Sequence, residues 1–326
     1  MSNTILTNRH DFLLLFEVTN GNPNGDPDAG NMPRLDPNTN RGIVTDVCLK
    51  RKVRNFVELF PPARAAANEN GCNILIKQGA IIETEQKPAI EAAKNPENPA
   101  QLDGGTEAEK AKNWLCREFY DVRTFGGVLS TGDDIMKGSA FGQVRGPVQF
   151  TFGQSCHPIT PLEVSITRCA VTKEADAKKE RTMGNKHIVP YALYVAKGYV
   201  SPAFAERTRF TQADLNLLFE ALLHMFEHDR SAARGEMIVR GLYDFEHVGT
   251  QPEANAAQNT REARLGCAHA HELFEGIKIN LRESREFPES FADYEIKNTW
   301  NAESLPKGIK LHLRHDQAAA SIVGSK

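Results

Sequence analysis

Near the start of the chain five apolar positions are consecutive. Phe12–Leu13–Leu14–Leu15–Phe16, continued by Glu17, Val18 and Thr19, form a short apolar run that predicts a buried strand. About 25 residues dominated by Asn, Gly, Pro and Asp follow, a length that inside a compact domain marks a functional or a disordered loop. The period then changes. Wound at about 100° per residue, the segment from Thr45 to Phe60 gathers Leu49, Val53, Phe56, Val57 and Phe60 on one side, which predicts an amphipathic helix with that side in the core. Thr45 stands where an N-cap belongs, and Asp46 suits the positive end of the helix dipole. Lys50, Arg51 and Arg54 fall opposite the apolar stripe with Val47 and Glu58, while Lys52 projects to a flank.

Further along, Asn73 to Lys77 predicts a strand, and Glu83 to Asn113 reads as a partly helical surface insertion ending in a helix near Ala108–Tyr120. A glycine-punctuated stretch runs from Phe125 to Gly146. The spacing of Gly138, Gly142 and Gly146 fits neither a P-loop nor a dinucleotide fingerprint. Strands are predicted at Pro147–Phe152, Leu162–Val171, His187–Tyr199 and Glu236–Val248, and the charged residues 172–186 form a flap or a loop. The clearest helix is Thr211–His228, opened by Thr211 and Asp214 at capping-box spacing. Residues 318–326 read as a frayed tail. The order strand, helix, strands, helix, strand places residues 1–326 in the α+β class, as one ferredoxin-like or RRM-like domain carrying insertions.

Composition narrows the partners. The 326 residues are 40% hydrophobic, ample for a core, and none of their apolar runs resembles a membrane span. The N-terminus lacks the charged, apolar and small-residue organisation of a signal peptide. Six cysteines without a CxxC pair indicate neither a zinc ribbon nor a disulfide framework, and are expected to be reduced, mostly buried thiols of a cytoplasmic protein. A formal charge of −3 argues against indiscriminate nucleic-acid binding. A polyanion must therefore be held by a local basic groove. Lys50, Arg51, Lys52 and Arg54 supply one, and the exposed N–H groups at the start of their helix suit a phosphate. The competing reading is a solvated charged face, with Arg54 paired to Glu58 four residues on.

Three groupings have the residue types of catalysis. His224, Glu227 and His228 spell HxxEH, a zinc-peptidase pattern, but both histidines fall opposite the stripe of Leu215, Leu218, Phe219, Leu222 and Phe226, and no third ligand is near. Cys267, His269 and His271 alternate as on a strand and have no matching pair. Asp26, Asp28 and Asp36 lie in the long loop beside the cations. They suit a divalent ion for phosphodiester cleavage, and they suit turns equally, because Asp bonds its own backbone in such loops.

The runs GNPNGDPDAGNMPR and GIVTDVCLKRKVRN, followed in order by DVRTFGGVL, GQVRGPVQF and RTMGNKHIVPYALY, closely resemble the backbone subunit of type I CRISPR surveillance complexes, the Cas-seven family, and especially its I-C (Csd) branch. The match spans roughly Phe12 to Val248. The resemblance implies an RRM-like palm with a finger-like insertion at about 61–124 and a thumb-like loop at about 172–187. It implies a head-to-tail homo-oligomer along one crRNA in a Cascade complex with other subunits, presenting the guide for pairing with target DNA, with no metal, cofactor or membrane involved. Carried across, Thr45, Lys50 and Arg54 match the family's contacts at the helix start, with Arg51 beside them. Arg34, Arg145, Arg181 and Lys186 are further RNA-binding candidates. The branch resembled is generally non-catalytic, whereas related type III subunits cleave RNA through an aspartate in the corresponding loop. The expectation is therefore an RNA-binding protein rather than an enzyme, with an endoribonuclease using the Asp residues of the 20–42 loop as the alternative.

Overall fold

The computed structural model of the chain describes residues 4–63, 70–95, 103–130, 135, 137–167, 169–170 and 183–317. Its centre is an eight-stranded sheet whose pairings are antiparallel. The spatial order begins with Ile309–Asp316 at one edge, then Glu236–His247, His10–Gly21, Met183–Val200, Gly153–Pro158 and Arg41–Val44. Val148–Phe150 and Leu162–Thr167 also pair with the long Met183–Val200 strand. The chain is thus a mixed α/β protein built on one main antiparallel sheet.

The apolar run of His10–Gly21 is continuous because the strand is covered on both sides. Alternate side chains serve different layers. Phe12, Leu14, Phe16 and Val18 join Leu49, Val53, Phe56 and Val57 of the Asp46–Leu59 helix and Leu215, Leu218, Phe219 and Leu222 of the Gln212–His224 helix in one core. Leu13 and Leu15 face the other way, onto Leu273, Phe274, Ile277 and Tyr294 of the C-terminal third. Each of these fully buried large side chains stabilises the fold by about 1.5–3 kcal/mol. Both helices start as the sequence predicts. Thr45 caps the backbone N–H of Cys48, and Thr211 and Asp214 complete a reciprocal capping box.

A smaller core lies between residues 75 and 144. Ala89 and Ala93 of the helix Ile82–Lys94 and Ala111 and Leu115 of the helix Glu107–Glu118 pack with Leu75 and Phe119, and this core runs on to Leu129, Phe141 and Val144. The strand expected at Asn73–Lys77 is absent apart from an isolated bridge between Asn73 and Phe119. The backbone N–H groups of Leu75 and Ile76 instead donate to the carboxylate of Asp121, at 2.9 and 3.0 Å. Phe60, expected in the core stripe, is 45% exposed, because the helix ends at Leu59 and Phe60 leaves helical geometry as its C-cap.

The six cysteines are free thiols. Only Cys116 is buried, Cys169 is exposed and the rest are half-buried, so burial is less complete than the composition suggests. Desolvation pushes the Cys116 thiol up to about 11, which keeps it protonated and unreactive. Among the described residues no helix is long and apolar enough to cross a membrane. The arms Leu162–Thr167 and Met183–Ile188 pair in register from Leu162–Ile188 to Thr167–Met183. Most of the thumb-like loop between them, including Arg181, lies outside the described residues, as does the 318–326 tail.

Candidate nucleic-acid interface

The end of the central strand at Gly21 opens into a cleft of about 650 Å³. Three pieces of chain build most of it, the loop 22–34, the first turns of the Asp46–Leu59 helix and the turn 229–235, and Gln78 adds to the wall. Local chemistry explains how they meet. The Oδ1 of Asn24 accepts both the backbone N–H and the hydroxyl of Thr45, each at 2.9 Å, tying the loop to the helix start. Asn22 donates its side-chain amide to the carbonyl of Asn31 at 2.7 Å and its backbone N–H to Ala233 at 2.8 Å. Asn20, Asn31 and Asn40 take left-handed backbone conformations, which Asn tolerates better than most residues. The 231–235 turn can approach only because residue 21 is glycine. A Cβ there would lie 1.9 Å from the carbonyl oxygen of Arg234.

Four cationic side chains line the cleft, Arg34, Arg51, Lys52 and Arg234, against one carboxylate, Asp229. Asp229 is shared by Lys52 and by Arg234, whose Nε lies 3.1 Å from it. Lys52 is only 4% exposed, so its charge holds the turn in place. Arg51 donates to the Oδ1 of Asn55 at 2.9 Å and has no carboxylate partner among the described residues. Arg34 reaches Asp26 at 3.3 Å through Nη1, while its buried Nε has no partner among the described residues. Such a donor is left for a ligand oxygen or water. The cleft therefore presents a polar, net positive surface at a helix N-terminus, the arrangement that holds phosphate oxygens.

The structure divides the sequence candidates. Arg34, Thr45 and Arg51 line the cleft together. Lys50 and Arg54 turn the other way. Lys50 pairs with Asp46 at 2.9 Å, Arg54 with the fully buried Asp121 at 2.8 Å, and both cations lie over the ring of Phe125, at 5.8 and 5.2 Å. The i, i+4 pair of Arg54 with Glu58 does not form; the insertion supplies the partner instead. Arg145 sits over Phe204 at 4.5 Å, near the Val148–Val200 pairing at the far end of the central strands. Twelve residues of strand separate the two ends, about 36 Å at the usual rise. Lys186 is half-buried on the strand extension past the Gly21–Val189 pair, the cleft's end of the sheet. Arg234 was missed by sequence reasoning. The sole local signal was Gly235, whose left-handed backbone marks the turn that carries it.

Two of the loop carboxylates, Asp26 and Asp36, act as turn formers. Asp26 caps a short 3₁₀ turn by accepting from the Asp28 N–H at 3.2 Å. Asp36 accepts from the Asn38 N–H and from the Thr39 hydroxyl, at 3.0 and 2.7 Å, and these bonds hold its carboxyl below the usual range. Among the described residues no three His, Cys, Asp or Glu side chains converge as a metal site would require. The histidines of the HxxEH pattern pack against aromatic rings of the basic helix and its C-cap, His224 stacked on Phe56 and His228 tilted against Phe60.

A family model described as "CRISPR-associated protein Cas7" matches residues 8–299. A curated relative, the CRISPR-associated protein Cas7 of Haloferax volcanii, is 28% identical over 224 residues, covering 65% of this chain and 62% of the relative. The chain thus spans less than two thirds of that relative's length. Among solved structures, a CRISPR RNA-guided surveillance complex is 14% identical with a TM-score of 0.41, over 73% of this chain and 69% of that one. A second, in a pre-nicking state, is 14% identical with a TM-score of 0.44, over 77% and 82%. A Type III-B Cmr-beta complex bound to cognate target RNA is 11% identical with a TM-score of 0.38, over 72% and 60%. These likenesses are too low to add to the family match.

Proposed function

We propose a function for this chain from the premise that it belongs to the Cas7 family of CRISPR-associated proteins, to which the match over residues 8–299 assigns it. It is a crRNA-binding backbone subunit of a type I-C Cascade surveillance complex, a cytoplasmic assembly of antiviral defence. It polymerises head-to-tail along the guide, together with other Cascade subunits, and leaves the bases free to pair with target DNA. The observation that carries this reading is the cationic cleft of Arg34, Arg51 and Arg234 at the start of the Asp46–Leu59 helix. The I-C subtype rests on the resemblance of the sequence blocks from Asn20 onward.

The strand order Glu236–His247, His10–Gly21, Met183–Val200, Gly153–Pro158, with helices Asp46–Leu59 and Gln212–His224 on one face, supports reading the sheet as an RRM-like palm. Its other face is covered by the C-terminal third, so RNA is held at the end of the sheet and not on its surface. The separate core around Leu115 and Phe119 supports a finger-like insertion, and the paired arms ending at Thr167 and Met183 support a thumb-like hairpin.

A guide varies in sequence, so its carrier must grip phosphates and leave base reading to Watson–Crick pairing. A few cations per copy suffice, because the copies act together on one strand. Heterologous contacts do not close, so growth ends where the guide or a capping subunit ends it. Binding, rather than cleavage, is the activity that the turn-forming loop carboxylates support.

The test is to co-express the protein with a CRISPR array, purify it and extract the nucleic acid. One discrete RNA length protected in a large particle is the expected result. An RNA-free monomer, both alone and with the partner subunits present, would refute the reading.

A further inference from the structure

We propose that a cavity at the C-terminal end of the Asp46–Leu59 helix receives an arginine side chain presented by a partner protein other than this chain. The cavity measures about 460 Å³ and shares no lining residue with the cationic cleft, so the inference stands apart from the proposed RNA contacts. It lies where the end of that helix meets residues 72–77 and the helices Ile82–Lys94 and Glu107–Glu118.

Its lining is aromatic, apolar and acidic. Trp114 and Phe119 meet edge to face, with centroids 6.2 Å apart and planes at 63°, and form an aromatic corner. Pro61, Ile74 and Pro88 supply apolar wall. The charged lining residues are two carboxylates, Glu58 and Glu85, against one ammonium, Lys77. Lys77 lies 3.2 Å from Glu85, so these two charges offset each other. Glu58 has no cationic partner among the described residues, because Arg54 is taken by Asp121. One negative charge is thus left over. Thr84 also lines the cavity, and Pro88, four residues on, has no N–H to give its carbonyl, so that acceptor lacks its usual helical donor.

A matching guest is cationic and donor-rich at its head and apolar along its stem. Guanidinium meets both demands. It is weakly hydrated, stacks on aromatic faces and gives a carboxylate two parallel N–H bonds, while the stem of arginine lies along apolar wall. Lys77, seated on Glu85, shows that this wall already takes a cation on a flexible stem. The volume falls in the range of ligand pockets, with room for residues flanking the arginine. The unpaired Glu58 disfavours a phosphate backbone here. Several exposed arginines of this chain, Arg209, Arg230 and Arg285, are already held by Asp103, Glu227 and Glu289, which favours a different polypeptide as the donor.

The probe is the blocked tripeptide acetyl-Ala-Arg-Ala-amide, with its citrulline counterpart, equal in shape but uncharged, as the control. Each is titrated into the purified protein, and binding is read from the indole N–H resonances of the chain's two tryptophans, Trp114 and Trp300. The arginine peptide is expected to shift Trp114 alone, and to bind at least about tenfold more tightly than the citrulline peptide. Glu58→Gln is expected to erase that preference, and Glu58 is exposed, so the fold should be retained. Lys77→Ala, which leaves a second carboxylate unpaired, is expected to tighten the arginine peptide. Equal affinity for the two peptides, a preference that survives Glu58→Gln, or a shift confined to Trp300 would each overturn the proposal. Sedimentation in which associated copies of the chain part on Glu58→Lys would seat a second copy in the cavity and overturn the separate partner.

Discussion

The Nε of Arg54 lies 2.8 Å from Oδ2 of Asp121, a carboxylate with no solvent exposure that also accepts the backbone N–H groups of Leu75 and Ile76. One side of the basic helix is therefore an anchor for the segments around Leu75 and Asp121. Lys50 and Arg54 further clasp Phe125 from that side. The surface open to a polyanion is the neighbouring one, where Arg51 faces Arg34 and Arg234 across the cleft.

Arg54→Ala strands a buried carboxylate, and breaking such a pair typically destabilises by about 3–5 kcal/mol. Thermal denaturation should show a large fall in Tm for Arg54→Ala and for Asp121→Ala. Arg51→Ala should leave Tm within a few degrees of wild type. Equal Tm values for the Arg54 and Arg51 variants would place Arg54 outside the anchor.

The cleft residues should act through phosphates. Each lost phosphate contact lowers the slope of log affinity against log salt by about 0.7 for single strands. Arg51→Ala and Arg234→Ala should each flatten the slope by about that amount, uniformly across RNA sequences. Loss of affinity with an unchanged slope would mean that these arginines do not touch phosphate.

Asp244 reports on acid stability. Burial acts to raise its carboxyl, but His10 at 2.8 Å and Arg314 at 2.9 Å outweigh burial and hold it below its ordinary value. A depressed folded-state value favours the fold fully above the unfolded carboxylate range, near about 3.9. That contribution is lost as pH falls through the folded value. Stability measured by denaturant unfolding should drop below about pH 4, and Asp244→Asn, though weaker at neutral pH, should show a shallower acid decline.

The loop carboxylates separate binding from cleavage. Asp26→Ala, Asp28→Ala and Asp36→Ala should leave RNA affinity largely intact, since the Asp26 carboxylate bonds the Asp28 N–H and Arg34, and that of Asp36 bonds the Asn38 N–H and Thr39. Incubation of wild type with RNA and magnesium should yield no cleavage products. Products that disappear in one of the three variants would make the chain an endoribonuclease.

The parts of this protein settled by its sequence are those whose causes lie within a few residues. The apolar run from Phe12 to Phe16 specifies a buried strand, Thr45 caps its helix, and Thr211 with Asp214 forms a capping box. The sequence blocks from Asn20 to Tyr194 carry the family. Tertiary structure decided which cations face the cleft. Asp121, 67 residues beyond Arg54, turns that arginine inward, and Gly21 admits the turn that brings Arg234 to Arg51. The strand expected at Asn73–Lys77 was lost to the same Asp121, which satisfies its N–H groups without a ladder. Helical periodicity and caps depend on neighbours three or four positions away, so they can be read along the chain. Ion pairs and buried hydrogen bonds depend on which distant segments meet, and only packing determines that.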